Sequence, residues 1–165
     1  MSHIAIGNGG VRHRMLLLGA VLALGTVGIA WATAGLAPIV HARQSHFKAL
    51  GRAAKSLRDQ IGRSEPDWSV VASDASEIER LAAALPSWFP EGSGRGHGVK
   101  TRARGAIWAK PQEFGQAARR LLNRAQDLTR AAATRDPRAL ALRTRALGQA
   151  CGSCHRRFRA RSSWW

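Results

Sequence analysis

Cys151-Gly152-Ser153-Cys154-His155, close to the carboxyl end of a 165-residue chain, is the stretch from which the fold follows. Two cysteines three residues apart, with histidine directly after the second, form the pattern of c-type haem attachment. In that chemistry each thiol forms a thioether with one haem vinyl group, and the neighbouring imidazole binds the iron. The pentapeptide therefore predicts covalent haem c, one per chain, with His155 as the metal ligand.

The same pentapeptide has three other interpretations: a thioredoxin-like redox pair, half of a zinc site, and a structural disulfide. A thioredoxin pair is expected within a βαβ unit, and a zinc site needs about four ligands at recognisable spacing. The sequence shows neither context. The disulfide stays open as part of a third hypothesis, in which the chain is a haem-free basic helical adaptor.

The residues around the pentapeptide predict the last helix of the chain. Asp136-Pro137 is typical of an N-cap with proline at the first helical position. One apolar stripe then follows, formed by Leu140, Thr144, Leu147, Cys151, Cys154 and Phe158. Both cysteines therefore face the core, with His155 at the edge of the same face. Arg159 lies one turn beyond His155; it either reaches the iron ligand or is a solvated arginine in a basic segment.

Three further amphipathic helices are predicted upstream, from about 39 to 61, from 66 or 67 to 85, and from 112 to 133. The stripe of the first contains a charged residue, Arg43. Its guanidinium either extends to solvent or pairs with a buried anion such as a haem propionate. The segment 86–111 has no periodicity and is rich in glycine, which predicts a long loop. We expect its aromatic and apolar ends to be pinned to the core by Trp88, Phe89, Ile107 and Trp108.

Four helices of about 20 residues, each with one narrow apolar stripe, predict an all-α fold. The expected architecture is an antiparallel up-down-up-down four-helix bundle with a long loop between its second and third helices. The length allows one such domain.

Charge limits the functions that the chain can have. Lys and Arg number 26 against ten Asp plus Glu, so the formal charge is +16. The arginines form neither a basic tail nor a stripe interleaved with aromatic residues, which argues against nucleic acid. A basic surface would instead steer the protein towards acidic redox partners. The sequence shows no nucleophile with its base and no paired carboxylates, so we do not expect an enzyme.

The first 34 residues are unlike the rest of the chain. They contain no acidic residue, and Arg12, His13 and Arg14 precede an apolar run from Met15 to Ala34 that ends in small residues. This is typical of an export signal, cleaved after Ala34, which leaves residues 35–165 as the haem domain. The run is also long enough for a bilayer span of about 20 residues, so an uncleaved membrane anchor is the alternative. Export fits the haem prediction, because bacteria attach c-type haem on the periplasmic side.

From about Pro38 to Arg159 the chain resembles a class II c-type cytochrome of the cytochrome c′ family. Four motifs carry the resemblance: the first-helix motif, the loop after the second helix, the start of the third helix and the C-terminal signature. In this sequence they are Arg43-Gln44-Ser45 with Phe47 and Leu50-Gly51; Leu85-Pro86 with Trp88-Phe89-Pro90 and Gly92; Ala106-Ile107-Trp108 with Phe114; and Cys151, Cys154, His155, Phe158 and Arg159.

The resemblance implies a role for each candidate site residue. Cys151 and Cys154 form the thioethers, and His155 is the fifth iron ligand. Arg43 and Gln44 interact with the haem propionates, and Arg159 lies beside the proximal histidine. Phe47 occupies the distal position where low-spin members have methionine.

The iron is therefore expected to be five-coordinate and high-spin. An apolar Phe47 leaves the sixth position open, and Met1 and Met15 are the only methionines in the chain. Ligation by His46 or His41 is the alternative, although His46 points about 100° away from Phe47 on a helix. His97, in the long loop, is a weaker candidate.

The resemblance supports two functions, which the sequence does not rank. One is electron transfer in the periplasm with acidic partners, and the other is binding of nitric oxide or carbon monoxide at the open site. It also implies a homodimer through the first two helices. It gives no role to Trp164-Trp165.

Overall fold

The structure is a computed structural model that describes residues 24–95 and 100–161, with side chains from residue 35 onward. Its long helices are α1 (Leu24–Ile61), α2 (Trp68–Ala84), α4 (Pro111–Thr134) and α5 (Pro137–Phe158). A 3₁₀ turn (Leu85–Trp88) and the short helix α3 (Ala106–Ala109) lie in the connection between α2 and α4. These described ranges contain no β-strand, but an isolated antiparallel bridge joins Ala103 to Arg159.

The long helices form the predicted four-helix bundle. α1 packs on α2 and α5, and α4 packs on the same two helices from the other side. The short connections from α1 to α2 and from α4 to α5 make the two helices of each pair antiparallel. The predicted stripes lie inside: the least exposed core side chains include Leu57, Val71, Ile78, Leu128 and Leu140. The fold class predicted from periodicity is therefore confirmed.

The first helix differs from its prediction at its start. The sequence predicted a helix from about residue 39, whereas α1 begins at Leu24 and contains Pro38. A proline inside a helix removes one backbone hydrogen bond but does not prevent helix on both sides. The segment before Pro38 is rich in alanine, the strongest helix former, so the helix continues across the expected cleavage point.

Side chains fix the ends of the other helices. The Asp67 carboxylate caps α2 by accepting hydrogen bonds from the backbone N–H groups of Ser69 and Val70 at 2.9 and 3.3 Å. Asp136 caps α5 in the predicted way, with Pro137 in the first turn. Between α4 and α5, Arg135 adopts a left-handed conformation with φ of 52°. The residue in this conformation at the end of a helix is usually glycine. The last two long helices are thus joined by a very tight turn.

The long connection between α2 and α4 is packed onto the bundle at both ends, as predicted. Trp88 and Ile107 are buried. The Trp108 indole N–H donates to the carbonyl oxygens of Phe89 and Pro90, both at 3.1 Å. A Cβ at Gly94 would lie 2.9 Å from the Trp108 ring, so only glycine allows this close approach. The four-residue α3 was not predicted, because one helical turn is too short to show a period.

Some sequence predictions lie outside the described residues. They concern the start of the export signal, His97, and the Trp164-Trp165 ending. Within residues 24–95 and 100–161, no helix is both long enough and apolar enough to cross a bilayer.

Leu128 tests the packing of α4. Its side chain is fully buried. Leu128→Ala should lower the free energy of unfolding by about 2–5 kcal/mol, measured by urea denaturation, because it leaves a cavity in the core. Leu142→Ala on α5 is the matched control, since Leu142 is 61% exposed, and it should change the same quantity by less than about 0.5 kcal/mol. Equal losses in the two variants would contradict the helix faces described above.

The contribution of the Asp67 cap to stability can be tested by its dependence on pH. The hydrogen bond from the Ser69 hydroxyl, followed by those from the Val70 and Ser69 N–H groups, lowers the pKa of Asp67. The contribution of the ionised cap is therefore complete above the unfolded pKa of about 3.9, and it is lost as pH falls through the lower folded pKa. Asp67→Ala should lower Tm by about 3–5 °C at pH 7, and the difference should shrink below about pH 4. Glu65→Ala removes a nearby exposed carboxylate outside the cap and should show neither effect.

Candidate functional site

Two thiols lie side by side on the core face of α5. Cys151 and Cys154 are partly buried, pack against the hydrophobic core, and are both free. Burial raises the pKa of each thiol, and the neighbouring Cys151 sulfur raises that of Cys154 further. Both sulfurs lie on one face of α5, the arrangement that two thioethers to one planar group require.

His155 follows the second cysteine and lies at the edge of that face. The imidazole remains exposed on one side, while the partial burial of its other side lowers its pKa. The positive charges of Arg159 and Arg102 lower this pKa further. An imidazole must be neutral to bind a metal, so these surroundings keep the His155 lone pair available.

The segment before α3 runs beside the end of α5. The Arg104 N–H donates to the Phe158 carbonyl at 2.9 Å, and the Ala160 N–H donates to the Arg102 carbonyl at 2.8 Å. These two bonds flank the bridge between Ala103 and Arg159. Arg159 is thus fixed by backbone pairing one turn beyond His155.

Phe47 is part of an aromatic cluster at the α1 side of the bundle. It is half-buried and makes edge-on contacts with Trp88 and Phe89, with ring centroids 5.4 and 6.2 Å apart. Phe89 in turn contacts Phe114 at 5.0 Å, and Phe114 contacts Phe158 on α5 at 5.4 Å. A continuous row of aromatic rings therefore joins the Phe47 position to the end of the helix that carries the cysteines.

Arg43 is buried, with 3% of its surface exposed, so the alternative in which its guanidinium extends to solvent is wrong. Nη1 donates to the Trp88 carbonyl at 3.3 Å and to Ser93 Oγ at 3.0 Å. Nη2 donates to the Ser93 carbonyl and to Thr101 Oγ1, both at 2.9 Å. The guanidinium also lies 4.5 Å from the centre of the Phe89 ring. One side chain of α1 thus ties down both halves of the long loop.

The charge of Arg43 has no carboxylate partner among the described residues. Every ion pair there is formed by a different lysine or arginine. Its burial lowers the pKa of the guanidinium, which nonetheless stays charged. Buried cations are normally matched by an anion. The four oxygens around Arg43 supply dipoles but no net negative charge.

Gln44 and the two histidines of α1 face different surroundings. The Gln44 amide donates to the Lys100 carbonyl at 2.9 Å, so it also holds the loop. His46 packs on Trp88 with ring centroids 4.6 Å apart, and His41 is exposed. Phe47 also packs on Trp88, so this contact does not separate the surroundings of His46 from those of Phe47.

The predicted site residues form two groups. Cys151, Cys154, His155 and Arg159 lie on α5 and at its end, while Arg43, Gln44 and Phe47 lie on α1 beside the long loop. Sequence reasoning missed Ser93 and Thr101 as acceptors of Arg43, and Arg102 as a neighbour of His155. The buried Ser93 lies in an aperiodic glycine-rich stretch, and no local signal marked it.

Comparison with known proteins assigns this architecture. A family model described as Cytochrome C′ matches residues 38–159. The chain is 32% identical over 148 residues to a cytochrome c′ from Rhodospirillum rubrum, covering 89% of this chain and 98% of the relative. Its fold is similar to that of cytochrome c′ from Thermochromatium tepidum, with TM-score 0.71, 23% identity, and coverage of 76% and 97%. It is also similar to a nitric oxide complex of a cytochrome c prime mutant from Alcaligenes xylosoxidans, with TM-score 0.67, 22% identity, and coverage of 74% and 94%.

Arg43→Met tests whether the buried guanidinium holds the loop. The variant keeps the unbranched stem of the side chain but leaves four oxygens without their donor, so we expect the free energy of unfolding to fall by about 3 kcal/mol. Amide exchange at Ser93 and Ala103 should be at least about tenfold faster, because both N–H groups bond within this loop. Arg52→Met, an exposed change on the same helix, is the control. Unchanged exchange at both amides in Arg43→Met would contradict the assignment.

Proposed function

The chain belongs to the cytochrome c′ family and carries haem c with iron, and from that premise we propose that it is a periplasmic electron carrier with a five-coordinate, high-spin haem. Haem c supplies a one-electron couple between ferric and ferrous iron. The single observation that carries the proposal is the α5 face, where two free thiols and a neutral imidazole lie within five residues.

We assign the thioethers to Cys151 and Cys154 and the iron ligand to His155. Both sulfurs are unpaired and partly buried on one stripe, so they can bond to the same planar group. The lowered pKa of His155 supports its role as a neutral nitrogen ligand. A disulfide adaptor is less well supported, because the cytochrome family model matches residues 38–159, which contain both cysteines.

Five-coordination is supported by Phe47, the residue that the family resemblance places at the distal position. Phe47 offers no ligand atom, and residues 35–165 contain no methionine. The rings of Trp88 and Phe89 make the surroundings of Phe47 apolar. His46 packs on the same Trp88, and its Nδ1 is buried with no hydrogen-bond partner among the described residues, so bis-histidine ligation is the alternative that the ferrous spectrum tests.

We assign the haem propionates to Arg43 and Gln44, and a place beside the iron ligand to Arg159. The observation in favour is the buried Arg43 charge, which has no carboxylate partner within the described ranges. A propionate would be the missing anion. The loop bonds of Arg43 would then position the guanidinium for it.

Export with cleavage after Ala34 is compatible with α1, because of where Pro38 lies in that helix. Pro38 lacks the N–H that a helix interior needs. After cleavage behind Ala34 the same proline would lie in the first turn, where that N–H has no helical partner in any case. An exported domain of residues 35–165 would therefore begin α1 without loss.

Binding of nitric oxide or carbon monoxide is a second candidate function, which the same open iron position would allow. The fold neighbour from Alcaligenes xylosoxidans is a nitric oxide complex. We also propose a homodimer through α1 and α2, on the family resemblance.

Spectra of the protein expressed in a bacterial periplasm test the proposal. We expect a ferrous spectrum without low-spin bands, and a changed spectrum on addition of nitric oxide. Haem should remain on the chain in a denaturing gel, and it should be lost in Cys151→Ser/Cys154→Ser but kept in Ser153→Ala, which leaves both thiols. Low-spin ferrous bands without added ligand would contradict five-coordination, and a gel without haem stain would contradict the attachment.

A further inference from the structure

Five exposed arginines gather at the carboxyl end of α5, although they come from two distant segments. Arg102 and Arg104 precede α3, whereas Arg156, Arg159 and Arg161 lie in the last turn of α5 and just beyond it. We call these five residues the terminal arginine surface.

Backbone and side-chain bonds hold the two segments together. Besides the two N–H bonds that flank the bridge, Arg102 Nε donates to the Ala160 carbonyl at 3.1 Å. Arg104 Nη1 donates to the carbonyls of Arg156 and Arg157, both at 3.4 Å. The fold therefore keeps these positive charges beside one another against their repulsion.

The charges on this surface are not neutralised within residues 24–95 and 100–161. Glu113 lies near the end of α5, but its carboxylate pairs with Arg157 and Lys110, which are not among the five arginines. α5 itself has no acidic residue. Capping of the helix by cations explains Arg104, which donates to the last carbonyls, and Arg156 in the last turn, but it does not explain Arg102, Arg159 and Arg161.

The surface also adjoins the iron ligand. Arg156 directly follows His155, and the charges of Arg159 and Arg102 act on the His155 imidazole. A molecule that covers these arginines therefore comes close to the haem that His155 would hold. Elsewhere among the described residues, three carboxylates form ion pairs: Asp59 with Lys55, Glu77 with Arg80, and Asp127 with Arg124 and Arg130.

We propose that the terminal arginine surface is the docking surface for an acidic electron-transfer protein, whose carboxylates face the five guanidiniums. The inference rests on the proposed function. Charge complementarity carries it, because uncompensated arginines beside the iron ligand both attract and orient a negatively charged partner. A docked, reduced partner would lose one electron, and a ferric haem held by His155 would gain it.

Binding to a plant-type iron–sulfur ferredoxin, used as a carboxylate-rich redox probe, tests the surface. The variant is Arg156→Glu/Arg161→Glu, and the matched control is Arg138→Glu/Arg145→Glu, which makes the same charge change at exposed positions farther along α5. By titration calorimetry of the haem-loaded proteins at low ionic strength, the first variant should weaken Kd by about tenfold or more, and the control by less than about threefold. Reduction by the ferredoxin should slow in the same order, whereas reduction by neutral flavin semiquinone should stay unchanged.

Three results would overturn the proposal. Equal weakening in both variants would mean that total charge, and not this surface, governs binding, and an unchanged Kd would mean that the surface is not used. If Arg156→Glu/Arg161→Glu releases the protein from phosphatidylglycerol vesicles, or changes its own oligomer mass, without changing the ferredoxin Kd, the surface serves a membrane or a second copy. The haem spectrum of each variant is recorded separately, so a low-spin or haem-free protein counts against the proposed function, while the contrast in Kd still decides the docking surface.

Discussion

The burial of one positive charge, on Arg43 of α1, is the constraint on which the rest of the structure depends. Placing a cation in a protein interior costs several kcal/mol unless polar atoms surround it. Here the connection between α2 and α4 supplies those atoms from Trp88, Ser93 and Thr101. Thr101 Oγ1 also accepts the N–H of Ala103 at 3.2 Å, and the next residue bonds to the end of α5. A single side chain thus links the first helix, the long loop and the helix that carries the cysteines.

The helices could be predicted from the sequence because their signals are local. A stripe at three- and four-residue steps needs no knowledge of its partner, so Leu140, Leu147 and Phe158 were placed in the core correctly. Caps are equally local, and Asp136-Pro137 began α5 as expected. The predicted start of α1 was wrong, because alanine-rich sequence continues the helix on both sides of Pro38. A processing site and a helix boundary are independent features.

The candidate site could be predicted only in part. The motif from Cys151 to His155 is contiguous, so the sequence alone indicates its chemistry. The contacts of Arg43 with Ser93 and Thr101 span 50 and 58 residues and end in a stretch without period. The same holds for Arg102 beside His155. Only the folded chain brings these groups together, and only their burial shows that Arg43 is enclosed rather than solvated.

Partial burial of Cys151 and Cys154 also bears on when the proposed haem would be attached. The thiolate is the reactive form of cysteine, and burial raises the pKa of both groups in the closed bundle. The thioethers assigned above to these two residues would therefore form more readily while α5 is still undocked. Docking of α5 would then enclose the new bonds, so attachment of haem would precede the last step of folding.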